Sequence, residues 1–186
     1  MDAVSDETLM QWLQAGDDSC LGALFERHHL ALFQYCVHLT RDRSAAEDVV
    51  QDAFFRVLKK RKSYKGAGSF KSWLFNIARN AAFDHLRKAR RFTDIESIPE
   101  TADDHSAPDQ EHSKAEYTAL VDSILQRLPV EVREVIWLGK FHFDNYDELG
   151  QALACSPGTA KVRLHRAMKK LTERVLASTQ GMSYEL

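Results

Sequence analysis

Three clusters of side chains in this sequence have types and spacings suited to chemistry, and that chemistry is recognition rather than bond-making. In SPGTAKVRLHRAMKKL (156–171), Lys161, Arg163, His165 and Arg166 surround Val162. Cations at such spacing attract phosphates, and an outward apolar side chain among them can meet a thymine methyl group. A second cluster follows the glycine loop SYKGAGSF (63–70), where Tyr64, Lys65 and Ser69 leave room for a nucleotide to approach the backbone. Beyond it Asn76, Arg79, Asn80, Phe83 and Arg87 recur at helical spacing. Asn and Arg pair with base edges and phosphates, and aromatic rings stack on unpaired bases. In the third cluster Asp48, Gln51, Asp52 and Lys59 surround Phe55. An aromatic ringed by polar groups either lies under another element or anchors a protein partner.

Charge segregation favours nucleic acid for the first two clusters. Formal net charge is only −2, yet residues 56–91 carry twelve Lys or Arg against the single acid Asp84. Residues 92–113 carry seven acids and no Lys or Arg, and a second basic run starts at Lys161. Two basic blocks around an acidic spacer predict two polyanion-binding modules on a tether.

The elements that must position these groups all read as helices, because strand alternation and hairpin signals are lacking. A first helix starts near Ser5 and a second runs from about Ser19 to Leu39. A third begins at SAAE, where Ser44 is the expected cap and Glu47 its partner three residues later. Its inner stripe is Ala46, Val49, Val50, Ala53, Phe54 and Val57. The helix from about Ser69 to Arg90 buries Phe70, Trp73, Leu74, Ile77, Ala78 and Ala81. FTDIESIPETADDHSAPDQEHS has the composition of a linker, and its 22 residues could extend to roughly 70 Å, so the flanking domains need not touch. Helices resume near Ser113, with Pro129 expected in a first turn. A short helix (146–153), a turn (154–156) and a basic helix capped by Ser156 then give helix-turn-helix spacing. Ala160, Leu164, Ala167, Met168 and Leu171 form the inner stripe of that last helix, which turns Val162 outward.

Several functions are disfavoured. Cys20, Cys36 and Cys155 form no CxxC pair, and with His28, His29 and His38 they match no zinc spacing, so neither metal nor cofactor is expected. No nucleophile–base motif or phosphate-cradling glycine loop is present, and Asp103 and Asp104 lie in the linker, which argues against an enzyme. The N-terminal stretch reads as neither signal nor membrane segment, so a cytoplasmic protein without membrane insertion is expected.

AAEDVVQDAFFRVLKK, GSFKSWLFNIARNAAFDHLRKARR and LPVEVREVIWLGKFHFDNYDELGQALACSPGTAKVRLHRAMKKL, in this order, resemble the extracytoplasmic-function sigma factors of bacterial RNA polymerase. The resemblance implies an all-α fold: a domain over 1–91 that binds core polymerase and the minus-ten element, an acidic flexible linker over 92–113, and a minus-thirty-five helix-turn-helix domain over 114–179. It implies that Asp48, Gln51, Asp52 and Phe55 dock on the clamp of the largest polymerase subunit, and that the second domain meets the flap of the second largest. Tyr64, Lys65, Ser69, Phe70, Trp73, Asn76, Arg79 and Asn80 would read and melt the minus-ten element. Thr159, Lys161, Val162, Arg163, His165 and Arg166 would read the minus-thirty-five element. An anti-sigma factor is the further partner this family leads one to expect. An ordinary helix-turn-helix regulator remains the alternative; it explains 146–171 but leaves the Phe55 face unused.

The two faces of the last helix give a test. Val162→Ser is expected to change minus-thirty-five base preference in a bound-sequence selection while leaving thermal unfolding nearly unchanged. Leu164→Ser is expected to destabilise the domain by about 2–5 kcal/mol, as loss of a packed apolar side chain does. A melted Val162→Ser variant with unchanged preference would reverse the face assignment.

Overall fold

The computed structural model describes residues 4–93 and 112–182, and among them every regular element is helical. Helix α1 (Asp6–Ala15) is capped by Ser5, which accepts from the Thr8 amide, and stops at Gly16 with φ +108°. Helices α2 (Cys20–Thr40) and α3 (Arg43–Lys60) follow, and a single 3-10 turn (Arg61–Ser63) leads into the glycine loop. Helix α4 (Phe70–Thr93) completes the first group. The second group is α5 (His112–Gln126), α6 (Val130–Trp137) continued by a π-helical turn (Leu138–His142), α7 (Tyr146–Ala152) and α8 (Pro157–Met182).

Local chemistry moves two expected caps. Asp42, not Ser44, caps α3: the chain enters extended at Asp42, whose carboxylate accepts from the Ala45 amide at 3.1 Å. A carboxylate at that end also complements the helix dipole, whereas Ser44 already lies within the first turn. Pro129 stands one residue before α6, with ψ 144°, rather than in its first turn. The cap at Ser156 is as expected, its Oγ accepting from the Thr159 amide at 3.2 Å. The α7–α8 turn depends on Gly150, where a Cβ would come within 2.7 Å of the Cys155 carbonyl oxygen.

The inner stripe of α3 is buried throughout, and that of α8 is buried at Ala160, Ala167 and Leu171 and half-buried at Leu164 and Met168. Helix α4 departs from the expected pattern. Trp73 is only half-buried, while Phe75 and Ser72, outside the expected stripe, are fully buried. The cause is tertiary, because α4 packs on α2 and α3 on one side and on α7 on the other.

The two helical groups therefore touch, and the independence suggested by the spacer's reach does not describe this conformation. One continuous apolar cluster runs through both, and α6 lies on α2. At the seam the Phe75 ring meets Tyr35 (centroids 5.3 Å apart), His142 (4.8 Å) and Phe143 (5.4 Å). Full burial of a phenylalanine side chain such as Phe75 contributes about 1.5–3 kcal/mol. The acidic stretch 94–111 lies outside the described residues.

His142 makes this seam sensitive to acid. Burial, then the Lys71 ammonium, then His38 push its imidazole down from 6.5 to about 4, and its buried Nε2 has no hydrogen-bond partner. Because the unfolded chain takes up this proton at higher pH than the folded one, stability should fall as pH drops from about 6.5 towards 4. His38, also held below its ordinary value by burial, acts in the same direction. Thermal unfolding across that range should show the loss, and His142→Phe should flatten it. An equally steep profile in His142→Phe would assign the effect elsewhere.

Candidate nucleic-acid interface

The loop before α4 is built as a shallow recess of about 320 Å³, lined among others by Tyr64, Gly68, Ser69, Trp73 and Asn76. Gln14 of α1 holds one side in place, donating from Nε2 to the carbonyls of Arg61 (2.8 Å) and Tyr64 (2.7 Å). Ser69 caps α4 by accepting from the Ser72 amide, and the Tyr64 hydroxyl donates to the Gly68 carbonyl at 3.2 Å. The half-buried rings of Tyr64 and Trp73 stand 5.1 Å apart at 53°, forming an aromatic wall beside the recess. Such a wall can stack a planar base.

The expected minus-ten residues divide into four kinds. Lys65 and Asn80 are exposed, and Tyr64, Ser69 and Trp73 edge the recess. Phe70 is fully buried against the His28, Tyr64 and Trp73 rings, so its expected role as a DNA-contacting residue is corrected: it is core that fixes the loop. Asn76 and Arg79 are turned towards the second helical group. Asn76 donates to the Ala152 carbonyl (3.2 Å), and Arg79 Nε donates to Glu134 Oε1 (2.7 Å).

Glu134 was not among the expected functional residues, and it is the most constrained charge at the seam. Its carboxylate is buried and also accepts from the Tyr35 hydroxyl at 2.9 Å. Burial raises its pKa, while Arg79 and the Tyr35 hydrogen bond oppose the rise. The neighbouring Arg133 is buried as well, and burial lowers its pKa to about 10. It donates to the carbonyls of Gln126 (3.2 Å) and Leu39 (3.3 Å), so two helix C-terminal ends receive its charge. Lys71 donates to the His142 carbonyl at 2.5 Å, and Gln151 of α7 donates to the Ala67 carbonyl at 2.9 Å. A charged pair inside the apolar run VEVREVIW was the available sequence signal for Arg133 and Glu134. Gln151 gave none.

The expected minus-thirty-five residues lie together on α8. Thr159, Lys161, Val162, Arg163, His165 and Arg166 are all exposed, Val162 by 47%. Lys161 Nζ lies 6.0 Å from the Tyr146 ring centroid. Arg163, Arg166 and Lys170 also face a cleft of about 470 Å³ shared with Arg79 and Glu134. The polymerase-docking candidates are equally coherent on α3: Asp48, Gln51 and Phe55 are exposed and Asp52 is half-exposed. Phe55 is 53% exposed with Lys59 Nζ 4.2 Å from its ring centroid, and Arg56 pairs with Asp52 at 2.7 Å. No neighbouring element of the described residues covers this face.

An acidic face around an exposed aromatic, an aromatic recess and a basic outward helix face thus lie on one helical chain. Residues 24–92 match the family model of sigma-70 region 2, and residues 118–171 match that of sigma-70 region 4. The RNA polymerase sigma factor CarQ of Myxococcus xanthus is 32% identical over 164 residues, covering 88% of this chain and 94% of that relative. Among solved structures, CnrH in complex with the cytosolic domain of CnrY aligns with a TM-score of 0.68 at 26% identity, covering 92% of this chain and 97% of that one. RpoE in complex with the anti-sigma factor NepR, from Bartonella quintana, aligns with a TM-score of 0.62 at 27% identity, covering 83% and 97%. The chain belongs to the sigma-70 family of RNA polymerase sigma factors, in its extracytoplasmic-function class.

Proposed function

We propose that this chain is a dissociable initiation subunit that brings core RNA polymerase to promoters carrying particular minus-ten and minus-thirty-five elements. The observation that carries this reading is the pairing, on one chain, of the uncovered Phe55 face with two separate basic helices. A simple helix-turn-helix regulator has no use for the former.

Residues 1–91 act as the polymerase- and minus-ten-binding domain, 92–113 as the connector and 114–179 as the minus-thirty-five domain. Asp48, Gln51, Asp52 and Phe55 dock on the clamp of the largest subunit, and the second domain meets the flap of the second largest. The Tyr64–Trp73 recess receives an unstacked minus-ten base; flipping costs a few kcal/mol, which stacking on the aromatic wall offsets. Lys65, Asn76, Arg79 and Asn80 hold the melted strand nearby. On α8, Lys161, Arg163 and Arg166 neutralise phosphates, while Thr159, Val162 and His165 contribute base selectivity. Nucleotide addition remains the work of the core enzyme, and this chain supplies recognition alone. It works in the cytoplasm, where the polymerase is. No helix among the described residues is long and apolar enough to cross a membrane. The likeness to RpoE, solved with an anti-sigma factor, supports regulation of this chain by such a partner.

Run-off transcription with core polymerase on a promoter found by transcript sequencing after overexpression tests the whole reading. Transcripts should start only when this chain is added. Phe55→Ala should weaken capture of core polymerase by about tenfold or more with unchanged thermal unfolding, as loss of a central aromatic anchor does. DNA binding without any capture of core polymerase by the wild-type chain would favour the simple regulator.

A further inference from the structure

One wall of the aromatic recess stands on a loop that has little conformational preference of its own. Tyr64 leaves a single 3-10 turn, and Gly66 and Gly68 follow with φ of +65° and +131°, values that favour glycine. The ends of this loop are held by α1. The Gln14 carboxamide directs both of its N–H donors at the entrance, with Nε2 2.8 Å from the Arg61 carbonyl and 2.7 Å from that of Tyr64. The Tyr64 amide itself donates to the Arg61 carbonyl at 3.2 Å. Both backbone polar groups of Tyr64 are therefore tied, which fixes its φ and ψ and with them the direction of its ring. At the exit Glu7, two turns earlier on the same face of α1, accepts from the Phe70 amide at 3.4 Å. The helix that holds both ends is itself secured to α2. Asp6 accepts from Arg27 at 2.7 Å and lies 2.6 Å from His28 Nε2, and Met10 and Leu13 are fully buried. Among the described residues none that lines the recess belongs to α1, so the helix acts on it only through the loop backbone.

We propose that Gln14 is a positioning residue for minus-ten base selectivity: by fixing the backbone of Tyr64 it sets the gap beside the aromatic wall, and thereby which unstacked base fits. The proposal rests on the assignment of the recess as the minus-ten base site. Selective sites need their contact groups held within about 0.5 Å by the residues behind them, and a double donor bridging two backbone carbonyls meets that need. Asn is one methylene too short for the same reach, Met has no donor, and Glu sets a carboxylate against two carbonyl oxygens.

The test is a promoter library randomised across the minus-ten element, each member marked by a transcribed barcode. It is transcribed by core polymerase with the full chain, and the transcripts are sequenced. Preference at each position is a ratio measured within one variant, so incomplete folding of a variant cancels. Gln14→Met and Gln14→Glu should each lower the preference at one minus-ten position by about three- to tenfold, the scale of lost hydrogen bonds. Preferences at the other positions and capture of core polymerase should stay as in wild type. In a Trp73→Ala background Gln14→Met should change nothing further, because the wall it aims is incomplete. Unchanged preferences in both Gln14 variants overturn the proposal. So does an even loss of transcription from all members, which assigns Gln14 to the scaffold alone, and so does a change that persists in the Trp73→Ala background. If Trp73→Ala by itself leaves every minus-ten preference as in wild type, the recess assignment falls, and the proposal with it.

Discussion

The buried Glu134 carboxylate is the constraint around which the two helical groups are arranged. A carboxylate taken out of water costs several kcal/mol unless charge and hydrogen bonds compensate. Among the described residues the compensation comes from the other group, through Arg79 and the Tyr35 hydroxyl. If the groups slide, Glu134 loses its partners while still covered, so the apolar seam is held to one register. The aromatic contacts around Phe75 supply much of the attraction, and the carboxylate selects the geometry. Arg133 imposes a second condition, because its charge is relieved by the Leu39 carbonyl across the same seam. A buried ion pair is by itself weak evidence for stability.

That geometry bears on the proposed function because it engages side chains to which minus-ten reading is assigned there. Asn76 and Arg79 cannot donate to Ala152 and Glu134 and to a nucleic acid at the same time. The Phe55 face on α3 and the outward face of α8 at Val162 stay uncovered in the docked form. On the proposed function, encounter with a protein partner at the Phe55 face does not require the seam to open, whereas strand contact through Asn76 and Arg79 does. To shift such an equilibrium from almost fully closed to almost fully open takes a partner with about 5.5 kcal/mol of preference for the open state.

Much of the fold was legible in the sequence. The inner stripes of α3 and α8, the cap at Ser156, the outward Val162 and the exposed Phe55 follow from helical periodicity and cap chemistry alone. The displaced cap at α3 was less legible, because Asp42 and Ser44 both suit the role and only the extended backbone at Asp42 decides between them. The face of α4 misled for a different reason. Its outward residues were read as free because a single helix cannot report that a second layer will cover it, and Phe75, outside the expected stripe, belongs to that second layer. Phe70 was assigned to DNA on the family pattern, although its own place in the apolar stripe already marked it as core.

The sequence by itself determined the amphipathic stripes of α3 and α8, the separation of acidic from basic segments, and the motifs that identify the family. These are local properties, set by side-chain spacing within a few turns of one helix. The tertiary structure alone decided which polar groups meet. Arg79 and Glu134 are 55 residues apart, Ala67 and Gln151 are 84, and Tyr35 and Glu134 are 99. At such separations no periodicity links the partners. What joins them is the docking of two apolar faces around a buried charge, which only the packed chain brings together.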